Sequence, residues 1–165
     1  MIVLVLGGAR SGKSAVAEAT AIDLGAPVTY LATGVRDEQD PDFEARVGAH
    51  RARRPASWTT VECGADLVPQ LAGRQGTLLV DSLGTWVAAH PDLGVDGEAM
   101  AAAMVVHDGH VVVVSEEVGL GVHPTTPIGR RFRDVLGTVN QQVAAVADEV
   151  WLVVAGLVLP LERRP

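Results

Sequence analysis

The sequence predicts an α/β fold with a mostly parallel sheet flanked by helices, and three observations carry that prediction. Short apolar runs alternate with helical patterns, the arrangement that βαβ units produce. The apolar content is aliphatic: 48% of residues are apolar, yet only three are Trp, two Phe and one Tyr. Such a composition suits Val- and Leu-rich strands buried on both faces. A glycine-rich loop also joins the first apolar run directly to the first helical pattern. The 165 residues favour one domain over 1–165, and no stretch is rich enough in Pro, Gly or Ser to act as a linker.

The elements follow in order. Ile2 to Leu6 is a continuous apolar run of strand length, and Gly7 to Gly12 is a turn. Ser14 to Leu24 reads as a helix that offers Val16, Ala17, Ala19 and Leu24 for packing, ended by Gly25 at C′ with Pro27 beyond. Val28 to Ala32 is a second strand. Asp40-Pro41 resembles an N-cap and N1 pair, opening a helix to about Arg51 that carries Phe43, Val47 and His50 on one face. Trp58 to Val61 is a short strand, Ala65 to Leu71 a short helix, and Thr77 to Val80 a strand ending at Asp81.

Leu83 to Ala89 and Glu98 to Val106 are predicted helices separated by a polar loop, and Val111 to Val114 is the strongest β run. A crossover helix of about ten residues, as in this stretch, is near the lower limit for a parallel connection. Glu116 to Pro127 reads as a long loop. Ile128, Phe132, Val135, Leu136, Val139, Val143 and Val146 then form one helical stripe. Val150 to Val154 is a strand, and Leu157 to Leu161 is a candidate antiparallel edge strand returning beside it after Ala155-Gly156.

Composition removes several function classes. Thirteen Lys and Arg against twenty Asp and Glu leave a net charge of −7, which argues against a broad grip on nucleic acid. No apolar run reaches the ~18 residues of a membrane helix, and Met1 leads into the first apolar run without the basic region of a signal peptide. Cys63 is alone, so an internal disulfide and a cysteine metal cluster are both excluded. The expectation is a soluble, cytoplasmic enzyme-sized domain with no membrane insertion.

Gly7, Gly8, Ala9, Arg10, Ser11, Gly12, Lys13 and Ser14 satisfy G-x-x-x-x-G-K-[ST]. Glycines at that spacing let backbone N–H groups curl round phosphates, Lys13 reaches the β and γ oxygens, and the Ser14 hydroxyl holds Mg²⁺. The preceding strand and following helix are the context the motif requires. Arg10 either touches phosphate or faces solvent. Asp81, at a strand's C-terminal end, is the expected acidic partner for the metal, with turn initiation before Ser82 as the weaker reading.

Other residues stay open at this level. His50 and the following Arg51, Ala52, Arg53 and Arg54 are either the exposed cationic end of a helix or a nucleophilic imidazole among phosphate-neutralising guanidiniums. Glu116 and Glu117 either face a ligand crevice or form a solvated pair. Arg130, Arg131 and Arg133 lie near the start of the last long helix, where cations oppose the dipole, and so hint at anionic contacts. The histidines at 90, 107, 110 and 123 lack metal-ligand spacing and read as structural.

Longer strings narrow the choice: the phosphate loop, Tyr30-Leu31-Ala32-Thr33, the Arg46-to-Pro55 stretch with His50, and Trp58 to Glu62. With them stand Glu117-Val118-Gly119-Leu120-Gly121, Arg131-Phe132-Arg133-Asp134, Val139-Asn140-Gln141, and Ala147 to Val154. In these the chain resembles the bifunctional adenosylcobinamide kinase/adenosylcobinamide-phosphate guanylyltransferase family of cobalamin biosynthesis. The stretch between Asp81 and Val111 is shorter than that family's usual crossover. The resemblance implies a RecA-like P-loop fold, a homotrimer, and a two-step reaction. Adenosylcobinamide is phosphorylated on its aminopropanol hydroxyl, at the expense of ATP or GTP. GMP from GTP then passes to adenosylcobinamide-phosphate through a guanylylated histidine, which matches His50. By the same matching, Gly7 to Ser14, Thr33, Gly34, Val35, Arg51 to Arg54, Glu62 and Asp81 contact the guanine nucleotide. The rival readings are a P-loop metabolite kinase without a covalent intermediate and a non-catalytic nucleotide switch; the absence of an Asn-Lys-x-Asp string counts against the second.

Overall fold

The computed structural model of the chain describes residues 1–34 and 54–163. The helix expected from Asp40 to Arg51 lies outside the described residues. The remaining elements are β1 (Ile2–Gly7), α1 (Lys13–Leu24), β2 (Val28–Ala32), β3 (Thr59–Glu62), α2 (Leu67–Leu71) and β4 (Gly76–Asp81). They continue through α3 (Leu83–Ala88), α4 (Gly97–Val105), β5 (Gly109–Glu116), α5 (Pro127–Val146), β6 (Glu149–Val154) and β7 (Leu157–Pro160).

The strands form one seven-stranded sheet in the order β3-β2-β4-β5-β1-β6-β7. Strands β1 to β6 run parallel, and β7 pairs antiparallel with β6 at the edge. The α/β class, the parallel sheet and the antiparallel C-terminal edge are therefore as the sequence predicts. β1 is buried along its whole length because it sits between β5 and β6 with helices on both faces. Alternate residues serve the two faces: Val3 and Val5 join Val112, Val114, Ala17 and Ala21 under α1. Ile2, Leu4 and Leu6 join Val111, Val113, Leu136, Val139 and Val143 on the other.

Small side chains set the α1 packing. Ala17 and Ala21, four apart and fully buried, face the sheet, while Ala19 is exposed and Val16 and Leu24 are half-buried. The α5 stripe buries Leu136, Val139 and Val143, each contributing about 1.5–3 kcal/mol relative to exposure. Ile128 departs from the stripe and is 56% exposed, since the first turn of α5 projects beyond the sheet.

The short crossover from β4 to β5 is accomplished by two short capped helices. The Ser82 side chain and Thr85 form a capping box on α3, and the Asp96 carboxylate accepts from Ala99 N at 2.9 Å to start α4. Trp86 is buried and anchors α3 by donating its indole N–H to Ala65 O at 3.1 Å. Among the described residues, no helix is long and apolar enough to cross a membrane.

Candidate active site

Parallel pairing brings the C-terminal ends of β1, β2, β3, β4 and β5 to one edge of the sheet. Gly7 lies level with Glu116, Ala32 with both Glu62 and Asp81, and Asp81 with Val114. Ligands of open parallel sheets bind in the crevice outside such ends.

The phosphate loop runs from Gly7 into α1, and two of its glycines, Gly7 and Gly12, are required by the backbone. A Cβ at Gly7 would strike the Ser11 hydroxyl and the Val153 carbonyl, and Gly12 is left-handed at φ +95°. Ser11 N donates to Gly8 O at 3.3 Å, and Gly156 N, in the β6–β7 turn, donates to Ser11 O at 2.7 Å. The hairpin therefore buttresses the loop from outside. Ala9 and Arg10 are exposed, Arg10 at φ 56°, and Ser14 is half-buried in the first turn of α1.

The Lys13 ammonium donates to Gly8 O at 3.3 Å and stands 3.7 Å from Glu116 Oε1. Glu116 Oε2 accepts from Ser82 Oγ at 3.1 Å and from Gly84 N at 2.9 Å. A Cβ at Gly84 would occupy the position of that carboxylate, so glycine there lets Glu116 reach the backbone N–H. Behind it, Asn140 Nδ2 donates to Glu116 O at 3.2 Å, and Ser115 Oγ donates to Asn140 Oδ1 at 2.6 Å. Glu117 takes the other course and folds back on Gly119 N at 2.6 Å. Of the two carboxylates that sequence left undecided, Glu116 faces the phosphate loop.

Asp81 ends β4, and its Oδ2 accepts from Tyr30 Oη at 2.8 Å. Burial, followed by the Asp81 charge, pushes the Tyr30 phenol far above the usual tyrosine range, so Tyr30 is a permanent donor to that carboxylate. The Arg54 guanidinium carbon lies 3.3 Å from the Tyr30 ring centroid, a cation–π contact. Among the described residues its buried Nε has no hydrogen-bond partner. Thr33 is fully buried: its hydroxyl donates to Ser82 O at 2.7 Å and accepts from Ser82 N at 2.8 Å, so it fixes the chain just beyond Asp81. Gly34 is half-buried beside it, and Glu62 ends β3 in the exposed row of strand ends. Val35, His50, Arg51, Ala52 and Arg53 lie outside the described residues.

Arg130 and Arg133 are engaged with their own surroundings rather than with the strand ends. Arg130 Nη1 donates to the carbonyls of Pro124 and Thr125, and Arg133 pairs with Asp134 at 2.8 Å and contacts His123. His90 and His107 bond to the carbonyls of Trp86 and Gly76, each at 3.0 Å. Tyr30 is the site residue the sequence reading did not single out; a lone tyrosine in an otherwise aliphatic strand was the available signal.

The family of cobinamide kinase / cobinamide phosphate guanyltransferase matches residues 3–161. A bifunctional adenosylcobalamin biosynthesis protein CobP from Pseudomonas aeruginosa is 39% identical over 173 residues, 98% of each chain. A protein with the same description, CobU, from Salmonella typhimurium is 41% identical over 180 residues, covering 95% of this chain and 97% of its own. Among solved structures, the flagellar accessory protein FlaH from Methanocaldococcus jannaschii superposes with a TM-score of 0.51 at 12% identity. The match covers 95% of this chain and 74% of that one. An ATPase of a bacterial type III secretion system gives 0.51 at 13% identity, over 92% of this chain and 51% of its own. These two share the fold.

Proposed function

This chain belongs to the cobinamide kinase / cobinamide phosphate guanyltransferase family, and from that premise we propose that its one phosphate-loop site, within a single domain over 1–165, serves both transfers. The first step phosphorylates the aminopropanol hydroxyl of adenosylcobinamide; the second moves GMP from GTP to adenosylcobinamide-phosphate, giving adenosyl-GDP-cobinamide. The observation that carries the reading is Lys13, held between Gly8 O and Glu116 at the mouth of the loop, where a nucleotide's β and γ oxygens come to rest.

Gly7 to Ser14 hold the phosphates, with Thr33, Gly34, Val35, Glu62 and Asp81 as further nucleotide contacts. In the second transfer the His50 imidazole attacks the α-phosphorus and pyrophosphate leaves. Arg51, Arg53 and Arg54 stabilise the developing charge beside Ala52; the buried Nε of Arg54 above Tyr30, without a hydrogen-bond partner among the described residues, supports a phosphate-directed role. GTP feeds the guanylyl step, and ATP or GTP the phosphoryl step.

Ser14 and Asp81 fit Mg²⁺ as oxygen donors. Such a cation takes oxygen ligands and keeps water and phosphate oxygens beside one or two protein donors. Bound there, the metal neutralises phosphate charge. The family resemblance supports a homotrimer, and the exposed apolar Val154, Leu157 and Leu159 at the sheet edge offer surface for assembly. The biosynthetic role of the relatives supports a cytoplasmic location.

Incubation with α-labelled GTP and Mg²⁺ tests the covalent step. The expected result is label that survives denaturation and base but is lost in acid, as a histidine phosphoramidate requires. γ-Labelled GTP leaves none. Undiminished labelling of His50→Ala would place the nucleophile elsewhere.

A further inference from the structure

We propose that Glu116 is the general base of the phosphoryl-transfer step, taking the proton of the attacking alcohol. The assignment rests on the two-step reading above and adds a catalytic group to it. Four observations carry it. Glu116 lies level with Gly7 across the β1–β5 pair, so its side chain rises beside the phosphate loop. Its Oε2 is clamped by Ser82 Oγ and Gly84 N, which fixes the carboxylate plane and leaves Oε1 pointing towards Lys13. The 3.7 Å separation from the ammonium is a loose ion pair rather than a hydrogen bond. Its backbone is pinned by the buried Ser115–Asn140 pair, so the position is built rather than incidental.

Lysine of a phosphate loop binds β and γ oxygens, and a carboxylate within 4 Å of it therefore borders the γ-phosphoryl group. A phosphate that takes up the Lys13 charge leaves Oε1 facing the side from which an acceptor hydroxyl approaches. Among the described residues two other carboxylates end strands in this row: Asp81, which is bonded to Tyr30 on the neighbouring strand, and Glu62 on β3, three strands away from β5. Glu117 is turned to Gly119 N.

The step balances as follows. The substrate hydroxyl oxygen forms a bond to the γ-phosphorus while the bond from that phosphorus to the β-bridging oxygen breaks. That bond's electron pair leaves with the nucleoside diphosphate. The hydroxyl proton passes to Glu116 Oε1 and later to water. Attack of a neutral imidazole on the α-phosphorus removes no alcohol proton, so the two transfers depend on Glu116 unequally.

The test compares both reactions in the whole enzyme, with adenosylcobinamide, nucleotide and Mg²⁺, alongside equilibrium binding of a fluorescent nucleotide. Glu116→Gln keeps the side-chain shape. Its single-turnover phosphoryl transfer is expected to fall by on the order of 10²-fold or more, whereas self-guanylylation and nucleotide affinity fall by much smaller factors. Glu116→Ala is expected to lose phosphoryl transfer and to regain part of it in added formate, a rescue that a purely structural role does not produce. Equal losses in both transfers with weakened nucleotide binding and no formate rescue would overturn the assignment, as would phosphoryl transfer at the wild-type rate in Glu116→Gln. Wild-type protein that guanylylates itself but phosphorylates nothing would overturn the two-step reading, and this assignment with it. That outcome is distinct because it is read without any variant.

Discussion

Tyr30 holds Asp81: the phenol donates to Oδ2 at 2.8 Å from a ring 4% exposed, under the Arg54 guanidinium. One side chain thus touches the expected metal carboxylate with its hydroxyl and an expected phosphate ligand with its face. The two groups are thereby tied to each other through one buried ring.

Tyr30→Phe removes the hydroxyl and keeps the ring. A hydrogen bond to a charged group contributes about 1.5–3 kcal/mol, so the melting temperature is expected to fall. With Asp81 released from its donor, the Mg²⁺ dependence of nucleotide binding should also shift. Calorimetric titration of nucleotide at several Mg²⁺ concentrations reads the second effect separately from the first. An unchanged Mg²⁺ dependence would show that Tyr30 is structural alone.

Lys13→Ala should impair phosphoryl and guanylyl transfer together, by about 2–4 kcal/mol of transition-state stabilisation in each. Single-turnover rates for the two half-reactions check this. Near-wild-type rates in both would remove Lys13 from the shared site.

Gly84→Ala places a methyl group where the Glu116 carboxylate lies. Overpacking of this kind costs about 1–3 kcal/mol, and relief comes most readily by displacing Glu116 from Gly84 N. Phosphoryl transfer should therefore suffer more than thermal stability suggests. Rates and melting curves of the same preparation test the mismatch.

Cys63 gives a stability effect with a defined sign. Burial raises its thiol from the ordinary 9.0 to about 11, while Sγ donates to Ala32 O at 3.2 Å. The folded protein therefore keeps a proton that the unfolded chain releases first. This contribution is complete below pH 9 and is lost as pH rises through about 11. Denaturant midpoints measured from pH 8 to 11 should fall more steeply in the wild type than in Cys63→Ala.

Most of the fold is legible in the sequence because strands buried on both faces are unbroken apolar runs, as β1 and Val111 to Val114 are. The phosphate loop is legible for a different reason: its chemistry is contiguous. Glu116 was undecidable because its role depends on β5 lying next to β1, a pairing of residues more than a hundred positions apart. Tyr30 was hidden for the same reason, since Asp81 is two strands away in sequence but adjacent in the sheet. Periodicity overreached at Ile128, which continues the stripe numerically but lies where α5 has passed the sheet. Composition gave the helical character of α1, yet the close approach there depends on the small size of Ala17 and Ala21.

The bond from Gly156 N to Ser11 O has a consequence for synthesis. β1 precedes its neighbours in the sheet, β5 and β6, by about a hundred residues or more, and the brace on its loop comes from the turn after β6. At about 5–20 residues per second, the nascent N-terminal strand waits on the order of ten seconds for these partners. During that interval one of the most apolar segments of the chain has both edges open, a condition that favours chaperone capture over early nucleotide binding. The phosphate loop is thus made well before the turn that braces it through Gly156 N and Ser11 O.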